Sequence, residues 1–251
     1  MKTIAFMNLK GGTAKTTTTV NTAAILARDY HQRVVVVDAD SQGNTTEFLG
    51  LGADQPGLAD LLRGGAALPQ ATTVADVYLI AADDSLMDLD LSKAEAGEAE
   101  IDCLIKLRST PGFSDRYDYM LIDCPPAFNA AAAAALLAAD QVIIPMKLDA
   151  FSLRGMANLI RQIQNMQRIN PVLRVAGILP TMWYNSAEIV KAEQQLRESL
   201  LPVFPHIRRS SKVDDMTFRQ LPLVYSSPKS GACQDYRIFV RRLVEGGARN
   251  V

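Results

Sequence analysis

The residues from Asn8 to Thr17, NLKGGTAKTT, combine two glycines, two lysines and three threonines in one short stretch. This composition is typical of a loop that binds phosphate groups through backbone N–H groups and a lysine. The usual spacing is G-x-x-x-x-G-K-[ST], and the stretch departs from it at both glycines. Leu9 stands at the first glycine position and Ala14 at the second. The lysine and hydroxyl positions are kept by Lys15 and Thr16.

Backbone physics still favours phosphate binding. Gly11 and Gly12 permit the positive φ angles that turn successive N–H groups toward one anion. A helix that begins near Lys15 would add the positive end of its dipole. Lys15 would reach the outer phosphates, and Thr16 would offer a hydroxyl to Mg²⁺. The predicted loop residues are Gly11, Gly12, Thr13, Ala14, Lys15, Thr16 and Thr17.

Carboxylates follow two further apolar segments. The segment Val34–Val37 runs into Asp38 and Asp40, and the segment 119–122 ends at Asp123. Parallel strands place their carboxyl ends at one edge of a sheet, where ligands bind. One phosphate-binding loop and two acidic strand ends at that edge predict a site for a nucleotide with Mg²⁺.

The positions of apolar runs predict the elements that carry these residues. Six buried strands are expected, at 3–7, 34–37, 77–80, 119–122, 142–145 and 175–179. Helical patterns lie between and after them, at 15–29, 57–63, 86–108, 129–139, 152–168, 186–200 and 232–245. This alternation predicts an α/β fold, with a doubly wound, mostly parallel sheet and helices on both faces. We expect a single domain over residues 1–251.

Composition narrows the functional class. Hydrophobic residues make up 48% of the 251 residues, and no apolar run reaches the length of a membrane span. The N-terminus does not resemble a signal peptide, and three widely spaced cysteines suggest a reducing cytoplasm. The net charge of -1 argues against binding nucleic acid over the whole surface. Charge is nevertheless uneven, because residues 83–102 are acidic and residues 205–251 are basic.

Three motifs together resemble one family. KGGTAKTT, VVVDADSQGNTT and YDYMLIDCPPA are similar to the deviant Walker A, switch I and Walker B/switch II segments of ParA-type P-loop ATPases. VIIPMKLDAFSLRGMANL, GILPTMW and PLVYSSPKSGACQDYRIFVRRL agree with later parts of the family, the last with its C-terminal strand, loop and helix. The resemblance runs from residue 3 to about residue 244 and implies ATP and Mg²⁺ as cofactors.

The resemblance also implies roles for individual residues. Lys10 matches a signature lysine that crosses to the phosphates of a second ATP-bound protomer, which implies a homodimer when ATP is bound. Asp40 matches the aspartate that orients the attacking water, and Asp123 the one that holds Mg²⁺. Asp38 either supports the metal shell or is structural. Ala14 departs from the family's glycine; we expect weakened nucleotide binding that Ala14→Gly would tighten, whereas an unchanged affinity would show that the methyl group is harmless.

ParA-type proteins bind DNA without sequence preference as ATP dimers, slowly hydrolyse ATP and act with a ParB-like partner. The resemblance therefore implies DNA segregation, a nucleoid-associated cytoplasmic location and no membrane partner. Lys212 matches a basic position of the family, and the residues near it that could also bind DNA are Arg208, Arg209, Arg237, Arg241 and Arg242. In the segment aligned with the family's adenine pocket, Arg208 replaces a proline, so no adenine contact is assigned.

Alternatives remain open at this point. A ParA-type ATPase that positions a protein cargo would share every residue above. A MinD-like membrane switch would need a basic amphipathic helix at the C-terminus, where the sequence shows only a short polar tail. An iron–sulfur ATPase would need a second cysteine besides Cys124 at the dimer axis. We also expect no DNA-reading extension before the loop, and thus no site-specific operator binding.

Overall fold

The computed structural model describes residues 1–52, 55–89 and 99–246, apart from the side chains of residues 150–154. A seven-stranded sheet with the order β3-β4-β2-β5-β1-β6-β7 forms its centre. Every pairing is parallel except that of β3 with β4. The predicted α/β class with a mostly parallel sheet is therefore confirmed.

The strands begin and end close to the predicted limits. They are β1 Lys2–Phe6, β2 Val34–Asp38, β3 Gln70–Ala71, β4 Val77–Ile80, β5 Tyr119–Asp123, β6 Gln141–Lys147 and β7 Arg174–Thr181. The two-residue antiparallel strand β3 was not predicted. It is too short to show the alternation of apolar and polar residues by which an edge strand is recognised.

Alternate residues of each central strand face opposite sides of the sheet. Val35 and Val37 pack into one hydrophobic cluster, and Val34 and Val36 into the other. All four side chains are fully buried, which explains why β2 is β-branched throughout rather than alternating with polar residues. Helices thus cover both faces, as the sequence predicts.

The helices that cover the sheet are α1 Lys15–Tyr30, α2 Asn44–Phe48, α3 Leu58–Leu62, α4 Cys103–Arg108, α5 Phe113–Arg116, α6 Ala130–Ala138, α7 Ala150–Gln167, α8 Ala187–Arg197, α9 Ser211–Arg219, α10 Leu223–Ser226 and α11 Gly231–Val244. A 3₁₀ helix spans Asp84–Asp88. The alanine run of α6 is buried from Ala130 to Ala135. Its small side chains allow the helix to pack closely on the sheet.

Two expectations differ from the structure. The continuous helix predicted for 86–108 is instead a 3₁₀ turn followed, after residues 90–98 that lie outside the described chain, by a helix that begins at Cys103. Part of the acidic run 83–102 lies in that same gap. The C-terminal strand expected in PLVYSSP is wrong, because Leu223–Ser226 is helical. Pro222 supplies a φ of -54° at its N-cap, and the N–H of Leu223 is bonded to the Asn21 side chain.

The register of the central strands builds one edge of the sheet. Asp123, the last residue of β5, lies beside Phe6 of β1 on one side and beside Asp38 of β2 on the other. The phosphate loop leaves β1 at this edge and the predicted switch I segment leaves β2 there. The three predicted motifs therefore meet around Asp123.

Candidate functional site

The loop between β1 and α1 has the backbone of an anion-binding turn. Gly12 has a φ of 70° and Ala14 a φ of 67°, so both lie in the left-handed region. A Cβ added at Gly11 or Gly12 would meet no atom within 4 Å, which leaves the loop surface open to a ligand. Helix α1 begins after Ala14 without a side-chain cap and without an acidic residue in its first turn. Its first N–H groups can therefore receive phosphate.

Side chains that the sequence did not single out hold this loop in place. Asn8 donates from Nδ2 to the carbonyl of Pro145 at 2.8 Å, and its Oδ1 accepts from the backbone N–H of Lys10 at 3.0 Å. The hydroxyl of Thr181 donates to the carbonyl of Thr13 at 3.1 Å. The loop is thus bonded to β6 and β7 as well as following β1. A lone asparagine or threonine gave no signal for this role in the sequence.

The structure brings the two predicted metal-binding residues into contact. The hydroxyl of Thr16 donates to Asp123 Oδ2 at 2.6 Å. A second hydroxyl, from Thr45, donates to the same oxygen at 2.7 Å. The other carboxylate oxygen, Oδ1, is buried and has no hydrogen-bond partner among the described residues. The buried Lys15 completes the group, and its charge acts on Asp123.

The electrostatics of Asp123 fit a cation. Burial raises the pKa of Asp123 above its ordinary range, against the lowering effects of the Thr16 and Thr45 hydroxyls and of the Lys15 ammonium. An unpaired carboxylate oxygen in such a place is costly unless an ion or a water binds it. The described residues contain no cluster of three or more His, Cys, Asp or Glu side chains that would enclose a metal alone. This donor set suits Mg²⁺, which commonly binds one or two protein groups together with phosphate oxygens and waters.

Asp38 has a different environment. Its Oδ2 accepts from both the backbone N–H and the hydroxyl of Thr46 at 2.8 Å, and its Oδ1 accepts from the N–H of Asp40 at 3.2 Å. Burial and the neighbouring Asp123 carboxylate raise its pKa. Both oxygens thus bond to the turn that follows β2. Of the two roles left open by the sequence, the structure favours the structural one, in which Asp38 shapes the predicted switch I turn.

Asp40 lies partly exposed in that turn, where its Oδ1 accepts from the N–H of Gln42 at 3.2 Å. It is near enough to Asp123 for its charge to raise the pKa of that residue. Thr46 connects the turn to the chain just after β4, because its hydroxyl also accepts from the N–H of Ala82 at 2.9 Å. Thr45 and Thr46 belong to the predicted switch I motif, but their residue types alone did not indicate these contacts.

Lys10 lies in the phosphate loop and is ion-paired within its own chain. Its ammonium lies 2.9 and 2.8 Å from the two carboxylate oxygens of Asp149, which follows β6. The side chain of Lys10 is 39% exposed and that of Asp149 26%. Lys10, which the resemblance matches to the signature lysine, therefore lies at the surface of the site.

A cavity of about 370 Å³ adjoins the loop. Ala14 and Thr17 form part of its wall. Residues 207–210, in the segment that aligns with the family's adenine pocket, form another part. Residues from that segment and from neighbouring elements that line the cavity include Met182, Ile207, Arg208, Arg209, Val213 and Tyr236. The volume lies within the range of small-molecule sites.

The predicted DNA-binding residues do not form one uniform basic surface. Arg208 and Arg209 line the cavity beside the loop, whereas Arg237 and Arg241 line a different one. Arg208 is committed to Asp235, with Nε at 2.7 Å and Nη2 at 2.8 Å from its carboxylate. Arg237 pairs with Asp29 at 2.8 Å, and Lys212 with Asp215 at 2.8 Å. The charges of Arg208, Arg237 and Lys212 are therefore partly neutralised. Arg208 also lines a different cavity from Arg241, the one beside the loop.

Within the described chain, no helix has the length and apolar character needed to cross a membrane.

Comparison with known proteins identifies the family. A family model described as an AAA domain matches residues 1–175. The chromosome partitioning protein ParA of Caulobacter vibrioides is 34% identical over 192 residues, which cover 73% of this chain and 70% of that protein. A ParA family protein of Chlamydia pneumoniae is 31% identical over 251 residues, which cover 97% of this chain and 98% of that protein.

Solved structures share the fold over nearly the whole chain. McdA from Cyanothece, solved without ligand, superposes with a TM-score of 0.84 at 25% identity, covering 97% of this chain and 99% of McdA. A cobyrinic acid a,c-diamide synthase from Mycobacterium smegmatis, solved with a bound ATP analogue and magnesium, has a TM-score of 0.81 at 28% identity. The superposition covers 98% of this chain and 95% of the synthase chain. Together with the loop and the three strand ends described above, these similarities show that the chain belongs to the ParA/MinD family of P-loop ATPases.

Proposed function

We propose that the protein binds ATP with Mg²⁺, forms a homodimer around two nucleotides, and hydrolyses ATP slowly to drive DNA segregation. One observation carries the nucleotide part of the proposal. The phosphate loop, Thr16 and Lys15 converge on Asp123, whose second oxygen is buried without a partner among the described residues. The ATP analogue and magnesium in the related M. smegmatis structure support the same ligands.

In this proposal the backbone N–H groups of residues 11–16 and the Lys15 ammonium hold the phosphates. Thr16 and Asp123 are the residues that hold Mg²⁺, which would neutralise charge on the phosphate oxygens. Asp40 lies in the turn beside Asp123 and orients the water that attacks. Asp38 does no chemistry in this scheme, because its oxygens bond to the turn that carries Asp40.

Lys10 supplies the link to dimerisation. Its ammonium is paired with Asp149 at the surface, so reaching a partner's phosphates requires the exchange of one anion for another. A lysine that approaches the transferred phosphate stabilises negative charge as an arginine finger does. Hydrolysis would therefore depend on the dimer, which suits a slow ATP-controlled switch.

The DNA part of the proposal rests on the ParA relatives and on the basic C-terminal region. Lys212 and the last-turn residues Arg241 and Arg242 are the proposed phosphate contacts. Arg209 remains a candidate, while Arg208 and Arg237 are weaker ones because their carboxylate partners are more buried than Asp215, the exposed partner of Lys212. A ParB-like protein would stimulate hydrolysis, and DNA binding would place the dimer on the nucleoid. Contacts of this kind carry no sequence information and weaken with salt.

The decisive experiment measures binding to random-sequence duplex DNA without nucleotide, with ADP and with ATP, each at two salt concentrations. Lys10→Ala is tested with ATP in parallel, and dimerisation of each sample is followed by light scattering. We expect binding only with ATP, lower binding at the higher salt concentration, and no binding by Lys10→Ala. Asp149→Asn is the matched control, because it alters the same ion pair but keeps the lysine.

The result also separates the alternatives. Loss of DNA binding in Lys212→Ala/Arg241→Ala/Arg242→Ala, with ATP hydrolysis kept, would support the proposed surface. Persistence of DNA binding in this variant would show that the surface lies elsewhere. A wild type that dimerises with ATP but binds no DNA would contradict the segregation proposal and favour positioning of a protein cargo.

A further inference from the structure

Arg208 occupies the wall of the cavity beside the phosphate loop, where the family's proline would stand. The following inference rests on the proposed binding of a nucleotide, because it concerns the part of the ligand beyond the phosphates. The cavity continues from Ala14 and Thr17, at the beginning of α1, to Arg208. A nucleotide with its phosphates in the loop therefore has this cavity next to it.

The guanidinium of Arg208 is held in one orientation. Nε and Nη2 donate to Asp235 Oδ2 and Oδ1 at 2.7 and 2.8 Å, and the backbone N–H of Arg208 donates to Oδ2 at 3.0 Å. Asp235 is only 6% exposed, whereas the side chain of Arg208 is 55% exposed. A two-point contact between an arginine and a buried carboxylate fixes the plane of the guanidinium.

A glycine supports the same group. A Cβ added at Gly231, the first residue of α11, would lie 2.8 Å from Nη1 and 2.9 Å from Cδ and Cζ of Arg208. Unlike Gly12, Gly231 has no positive φ, so its backbone does not call for glycine. The space required by Arg208 explains the missing side chain. Asp235 and Gly231 thus hold the guanidinium in place while Arg208 remains in the cavity wall.

We propose that Arg208 is the platform on which the nucleobase stacks. A fixed, planar, delocalised cation attracts the face of an aromatic ring, and every base has such a face. Stacking reads no hydrogen-bond pattern, so Arg208 should strengthen binding of adenine and guanine nucleotides alike, while contributing nothing to a ligand without a base.

The test compares ATP, GTP and tripolyphosphate, each titrated with Mg²⁺ by calorimetry. Changing Arg208 alone would leave the buried Asp235 carboxylate unpaired, so the variants also carry Asp235→Asn. In Arg208→Leu/Asp235→Asn we expect the affinities for ATP and GTP to fall about thirtyfold, the middle of the range for loss of a stacking contact. The affinity for tripolyphosphate should not change. In Arg208→Tyr/Asp235→Asn, which restores a flat ring, ATP should bind within about threefold of the wild type.

A further variant displaces the platform without removing a charge. Gly231→Ala should displace the guanidinium by sterics alone and weaken ATP binding but not tripolyphosphate binding. All variants are compared by the ratio of the two affinities, because an unfolded fraction lowers the number of sites rather than this ratio. Arg208→Lys/Asp235→Asn is the charge control, and we expect it to behave like the leucine variant.

Three results would overturn the inference. Unchanged ATP affinity in the leucine variant would show that Arg208 does not contact the base. An equal loss for ATP and tripolyphosphate, restored by lysine, would show that Arg208 acts as a charge on the phosphates. Failure of the proposed function looks different, because the wild type would then bind neither ATP nor tripolyphosphate. A wild type that binds ATP and tripolyphosphate with equal affinity would contradict the stacking platform but not the proposed binding of a nucleotide.

Discussion

Ala14 is the residue at which the phosphate loop departs most from its family, and its conformation allows a quantitative prediction. It has a φ of 67° and a ψ of 32°, in the left-handed region, directly before helix α1. The methyl group of an L-residue crowds the following carbonyl in this region, at a cost of about 1–2 kcal/mol. Glycine has no such penalty, although it gains more entropy in the unfolded chain, by roughly 0.5–1 kcal/mol.

The difference between these two effects gives the expected change. Ala14→Gly should raise the free energy of unfolding by about 0.75 kcal/mol, which is the penalty removed minus the entropy added at the middle of both ranges; the difference spans roughly 0–1.5 kcal/mol. For a chain of this length the mid-range increase corresponds to roughly 1.5–3 °C in the melting temperature. Strain that is present both with and without ATP cancels in the affinity, so the ATP affinity should rise only as far as ATP binding holds residue 14 more strictly in the left-handed region; the rise should stay below about tenfold.

The assay is urea unfolding of the wild type and of Ala14→Gly at one pH and salt concentration, with ATP titrations of the same samples. His31→Gly is the matched control, because His31 has a φ of 56° at the C-cap of the same helix and is not part of the loop. It should give a similar gain in stability and no change in ATP affinity. A gain for His31→Gly without one for Ala14→Gly would refute the argument that residue 14 is strained.

Three further predictions follow from the contacts. Thr46→Val should lower the free energy of unfolding by about 1–3 kcal/mol, because it removes a buried hydroxyl that both donates and accepts a hydrogen bond. The measurement is urea unfolding, in which the exposed control Thr217→Val should show almost no effect. Asn170→Ala should lower the melting temperature by several degrees, because Nδ2 of Asn170 lies within 3.0 Å of three carbonyl oxygens near the end of α6. The control Asn158→Ala, on the exposed face of α7, should leave the melting temperature unchanged. In calorimetry, chelation of Mg²⁺ should weaken ATP binding to the wild type by about tenfold or more, whereas ATP binding to Thr16→Val should depend much less on Mg²⁺. An equal dependence of ATP binding on Mg²⁺ in both proteins would contradict the role of Thr16.

The parts of the fold that the sequence predicted are those with strong local signals. Strands such as Val34–Asp38 are β-branched runs buried on both faces, and helices such as Lys15–Tyr30 follow them at regular intervals. Strand β3 and the short helix Leu223–Ser226 had no comparable signal. Strand β3 has only two residues and is held by pairing with β4, whereas the helix is held by a contact distant in sequence, the Asn21 side chain that bonds to the N–H of Leu223.

The candidate site shows the same division. Lys15, Thr16 and Asp123 could be assigned because their chemistry and their positions after strands are visible in the sequence. Asn8 and Thr45 could not, because their roles depend on which atom their side chains meet in the folded chain. Arg208 was assigned to DNA by its charge and its nearness to Lys212 in the sequence; only the folded chain shows that it lines the cavity beside the loop and pairs with a buried carboxylate.

The hydrogen bonds that the sequence did not reveal also connect the site to the rest of the sheet. Thr16 and Thr45 share one oxygen of Asp123, so a ligand that draws Thr16 away would leave Thr45 as the donor to that oxygen. Thr46, next in the chain, bonds to Asp38 and to the backbone N–H that follows β4. Because these groups are buried, movement of α2 must break or exchange bonds that are each worth about 1 kcal/mol. Ligand contacts around Asp123 and the position of α2 are therefore energetically linked, which is the property that a nucleotide-controlled switch requires.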